Sequence, residues 1–79
     1  MNTVATDMSG AWQKTAKAQM AQQNAEKFQN STMYMSAAEL NYEAHKVHKE
    51  VGNRDIAADH LRLAQKMALK ADELRSIGK

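Results

Sequence analysis

The chain has 79 residues, a formal net charge of +2 from 11 basic and 9 acidic side chains, and neither cysteine nor proline. That length holds one domain with a modest core. The missing cysteines exclude disulfide reinforcement and suit a reducing compartment, and so even a charge balance gives no call for a polyanionic partner.

Met1-Asn2-Thr3-Val4-Ala5-Thr6-Asp7 has neither a basic stretch nor an apolar one, so no secretory leader is read there. No apolar run approaches the roughly 20 residues of a bilayer span, and a soluble, cytoplasmic protein is expected. Alanine, glutamine, lysine, glutamate, leucine and methionine dominate, all strong helix formers, so the fold class is all-α. Residues 1–8 are expected to fray, with 9–79 as a single helical domain.

The first helix is expected over about 9–29. Ala11, Ala18, Ala21, Ala25 and Phe28 follow one stripe, and Trp12, Ala16 and Met20 a neighbouring one. The stripe is mostly methyl groups and buries little area per turn. This weaker helix completes a three-helix bundle, pairs with another copy, or stays partly mobile.

The second helix is expected over about 33–51. Met33, Ala37, Leu40, Ala44, Val47 and Val51 alternate spacings of four and three, the mark of one helical face. Asn30-Ser31-Thr32 marks its start, and Ser36 with Glu39 has the spacing of an internal capping box. Gly52-Asn53 then interrupts the pattern: glycine ends one helix in the left-handed conformation and Asn53 caps the next.

The third helix is expected over about 54–77, with Ile56, Ala57, Leu61, Leu63, Ala64, Met67, Ala68, Ala71 and Leu74 as its apolar positions. Asp55 and Asp59 complement its positive end, and Lys70, Arg75 and Lys79 its negative end. So short a break between two long helices implies an antiparallel hairpin, to which the first helix is added as a small three-helix bundle. Gly52-Asn53-Arg54-Asp55-Ile56-Ala57, followed by Leu61 and Ala64, resembles the turn and second helix of a tetratricopeptide hairpin. The resemblance spans about half the chain and occurs once. It implies the hairpin and no activity.

Three groups of residues are candidates for function. His45 and His48 are surface neighbours on the second helix, and antiparallel pairing puts His60 roughly level with His45. Three converging imidazoles, with Glu43 or Asp59, have the makings of a zinc site. No metal motif is present, however, so histidines packed at helix borders are the favoured reading and no cofactor is expected. Lys46, Lys49, Arg62, Lys66 and Lys70 form basic rows suited to phosphates, interleaved with acidic residues that a solvated face explains equally well. Trp12, Phe28, Met33, Tyr34 and Met35 are candidate protein contacts, since methionine adapts to irregular surfaces and aromatic residues anchor interfaces. Core packing is the favoured role for Phe28 and Met33.

No nucleophile, phosphate loop or paired carboxylate has a catalytic spacing, so no enzyme is expected. The function expected is a protein–protein interaction module, an adaptor, regulator or stoichiometric inhibitor of a larger protein, which also self-associates as a homo-oligomer. The alternatives are a small nucleic-acid-associated protein using the lysine and arginine face, and a metal-binding protein using the histidines.

Overall fold

A computed structural model describes the backbone of residues 3–79 and the side chains of residues 10–79. The chain forms three α-helices and, among the described residues, no strand: α1 (Thr3–Phe28), α2 (Ser31–Glu50) and α3 (Arg54–Ser76). The all-α class, the α2–α3 hairpin and the three-helix bundle agree with expectation.

Differences sit at the helix ends. α1 runs from Thr3, and of the segment 1–8 expected to fray, residues 1 and 2 lie outside the described residues. Nothing between Thr3 and Gly10 breaks a helix, and one glycine costs only about 1 kcal/mol against alanine. α2 starts two residues early because Asn30, in extended conformation, accepts a hydrogen bond from the Met33 amide at 3.1 Å. Ser36 and Glu39 therefore lie inside a continuous helix.

The hairpin turn is a Schellman motif. Gly52 takes φ +90, its amide reaches the Lys49 carbonyl at 3.2 Å, and the Asn53 amide reaches the His48 carbonyl at 2.9 Å. Gly78 ends α3 in the same way, and the Ser31 amide donates to the Lys79 carbonyl at 3.0 Å, tying the end of α3 to the start of α2. Asn53 does not cap α3 through its side chain. That amide is used elsewhere, as described below.

α2 packs against both other helices, whereas α1 and α3 meet sparsely. The Cα trace measures 51 × 18 × 12 Å, so the three helices lie nearly in a slab with α2 in the middle. Alanines line the seams: Ala11, Ala18 and Ala25 on α1, Ala37 and Ala44 on α2, Ala57, Ala64 and Ala71 on α3. Each methyl taken from water contributes only about 0.8 kcal/mol. The larger apolar side chains, Tyr34, Met67 and Leu74, gather with Ala25, Ala37, Ala38 and Ala71 at one end of the bundle. Burial of each of those three is worth about 1.5–3 kcal/mol.

The buried face of α2 is not centred on the expected stripe. Tyr34, Ala37, Ala38, Asn41, Ala44 and His48 are buried, while Leu40, Val47 and Val51 are half-buried. The helix is turned toward its polar residues because those residues find partners inside. Phe28 and Met33, expected in the core, are exposed at 58% and 37%. Phe28 lies about 60° of helix rotation beyond Ala25, so it has left the seam by the last turn of α1. No helix among the described residues is long and apolar enough to cross a membrane.

Candidate functional site

The end of the bundle nearest the hairpin turn has a polar core. Its largest fully buried side chains are His48 and Asn41, joined by Thr15 and His60. Buried polar groups are costly unless paired, and here all are paired. Thr15 Oγ1 lies 2.7 Å from His48 Nε2 and 2.9 Å from His60 Nε2. His60 Nδ1 lies 2.8 Å from Asn41 Oδ1, and Asn41 Nδ2 donates to the Ala37 carbonyl at 2.9 Å. Asn53 Nδ2 lies 3.1 Å from His48 Nδ1.

The amide orientations of Asn53 and Asn41 fix the donors. An amide nitrogen only donates, so His48 Nδ1 accepts from Asn53 and His48 Nε2 carries the proton that Thr15 accepts. Asn41 Oδ1 only accepts, so His60 Nδ1 carries its proton and His60 Nε2 is bare. The Thr15 hydroxyl donates to it. The result is a one-way chain, Asn53 to His48 to Thr15 to His60 to Asn41 to the Ala37 carbonyl, in which both imidazoles are neutral. It links all three helices.

The rings of His48 and His60 stack at 5.5 Å, and Trp12 meets His48 edge-on at 4.9 Å. Burial holds both histidines below the usual value of 6.5. For His48 the Ala11 carbonyl favours the charged ring and works against burial; for His60 the neighbouring His48 adds to burial and Asp59 opposes it.

The three candidate histidines are not equivalent. His48 and His60 converge, but His60 is level with Asn41 rather than His45, about one turn from the expected pairing. His45 instead donates Nδ1–H to the Ala57 carbonyl at 2.8 Å and stacks on Tyr42. The described residues hold no group of three or more metal-ligating side chains, and a structural zinc site takes four ligands.

The basic residues divide between two sides. Lys46 borders a groove between α2 and α3, with its ammonium 5.2 Å from the Tyr42 ring centroid. Lys66 and Lys70 border a groove between α1 and α3 together with Glu26 and Glu73. Arg62 is paired with Asp59 and Lys70 with Glu73, and Lys49 lies near the hairpin turn. These five residues share no single face.

Of the aromatic and methionine candidates, Tyr34 is buried and its hydroxyl accepts from Gln29 Nε2 at 3.1 Å. Met35 packs partly against the apolar cluster. Trp12, Phe28 and Met33 remain exposed in part. Thr15 and Asn41 were missed by sequence reasoning. Their signal was positional: each stands in an alanine seam, Thr15 between Ala11 and Ala18, Asn41 between Ala37 and Ala44.

Compared with family models, with curated proteins and with solved structures, the chain matches none.

Proposed function

We propose that this chain is a non-catalytic protein-binding module of a cytoplasmic compartment, which receives an acidic amphipathic helix in the open groove between α2 and α3. One surface carries the reading. Ala38, Tyr42, Leu61, Ala64 and Ala68 line the groove, and Leu61 joins it to a second hollow bordered by His45, Lys49 and Arg54 at the hairpin turn. A helix laid in such a groove reads apolar anchors at three- and four-residue spacings.

The rim favours an acidic visitor. Lys49 and Arg54 enter no ion pair among the described residues. Of the acidic residues beside the groove, Glu43 is tied to Lys14 at 2.9 Å, which leaves Glu39 against Lys46, Lys49 and Arg54. Such a module acts as an adaptor, regulator or stoichiometric inhibitor of a larger protein. The exposed Met20, Phe28, Leu69 and Ile77 supply apolar area elsewhere and support self-association as a separate property.

The test is fluorescence anisotropy with a labelled helical peptide carrying leucine on one face and glutamate on its flanks. Binding in the micromolar range is expected, lost in Leu61→Gln and in a Lys49→Glu/Arg54→Glu double variant of unchanged helicity. Absence of peptide binding, alongside oligonucleotide binding that falls steeply with salt, would promote the nucleic-acid reading instead.

A further inference from the structure

We infer that the Thr15-centred chain is an acid-operated latch, holding α1 against the α2–α3 hairpin while His48 and His60 are neutral and releasing it when the pair is protonated. Small side chains dominate the described part of α1 that is buried against the hairpin. Among its described side chains, those buried are Ala11, Thr15, Ala18 and Ala25, and it meets α3 sparsely. Thr15 is the one buried polar side chain among them, and it binds α2 through His48 and α3 through His60 in a single atom.

Another proton meets an existing donor at either ring. A proton added to His48 Nδ1 faces the Asn53 Nδ2 donor, and one added to His60 Nε2 faces the Thr15 hydroxyl proton. If Thr15 turned to accept from both rings, its own proton would lose the His60 lone pair. Two imidazolium rings stacked at 5.5 Å would also repel each other.

No carboxylate stands in contact to receive the charge among the described residues. From α1 the pair faces Thr15, Trp12 and the Ala11 carbonyl, with Lys14 drawn off to Glu43. From α2 it faces Asn41 and the third histidine, His45, and from α3 Asp59, which is paired with Arg62. The Ala11 carbonyl and Asp59 favour protonation, but burial outweighs both. Titration of imidazole falls between about pH 5 and 8, within the range a cell traverses. Release uncovers the face of α2 that α1 occupies, a second helix-sized surface on the opposite side from the groove bordered by Lys49.

The experiment is amide hydrogen exchange on the full chain, corrected for intrinsic rates, between about pH 7.5 and about pH 5, with the histidine ring protons followed by NMR. Protection of amides in residues 11–25 is expected to drop about tenfold or more as the two rings titrate, and by clearly more than the protection of α3. A His48→Gln/His60→Gln variant, where it folds, is expected to show no such step. Two results overturn the latch: α1 protection that stays constant while both rings titrate, or loss of α1 and α3 protection to the same extent, which is acid unfolding of the whole bundle. Both are read on the unmodified chain, so a variant that fails to fold leaves the test intact.

Discussion

The rings of His48 and His60 lie nearly parallel, inclined by 17°, and both aim Nε2 at the one hydroxyl of Thr15. Three helices therefore share an oxygen atom. The arrangement explains how a bundle with an alanine core tolerates a threonine, an asparagine and two histidines in its interior: each donor has an acceptor, and no buried side-chain nitrogen or oxygen among the described residues lacks a partner.

The hydroxyl is the hub, so removing it exposes both rings to an unmet need. Thr15→Val keeps the shape and is expected to destabilise the protein by about 1–3 kcal/mol, the cost of leaving buried polar groups unpaired. For a domain of this size that is a fall in Tm of roughly 5–20 °C. Thr15→Ser, which keeps the oxygen, should fall far less. Thermal melts by circular dichroism check both, and equal losses for the two variants would remove the hydroxyl from the account.

Asn41 acts through the same ring. Asn41→Leu strips His60 Nδ1–H of its acceptor and should also cost about 1–3 kcal/mol. Because both substitutions damage one chain, Thr15→Val and Asn41→Leu combined are expected to cost less than the sum of the two. Chemical denaturation of the four proteins in the cycle measures the coupling. Strict additivity would mean that the two residues act independently.

Stability should depend on pH with a definite sign. His48 and His60 titrate below 6.5 in the folded protein, chiefly because burial disfavours their charged forms. The unfolded chain, with histidines near about 6.5, binds protons first as pH falls. Stability is thus complete above about pH 6.5 and is lost progressively from there down to the folded values. A Tm that rises on acidification through this window would contradict the neutral chain.

The glycines separate by backbone conformation. Gly52 holds φ +90 at the hairpin turn, and Gly52→Ala should cost about 1–2 kcal/mol although nothing lies near its added methyl. Gly10 sits within α1 with no atom within 4 Å of a built Cβ, so Gly10→Ala should stabilise by about 0.5–1 kcal/mol. Opposite shifts in Tm check the pair.

The residues themselves determined the helices and where two of them meet. Helix formers without proline, the Gly52 stop and the Asn30 start act locally, and the α2–α3 hairpin follows from a turn too short to do anything else. Periodicity also identified most of the buried face of α3, from Ala57 through Leu74. Tertiary structure alone decided which face of α2 turns inward, which histidines meet, and what Thr15 and Asn41 do. The physical reason is that an apolar side chain declares its preference by itself, whereas a polar one is admitted to a core only if donors and acceptors on other helices come into register with it. His48 and His60 are separated by the hairpin turn, and Thr15 lies 33 residues before His48. Nothing near any of them in the chain announces that one hydroxyl will serve both rings.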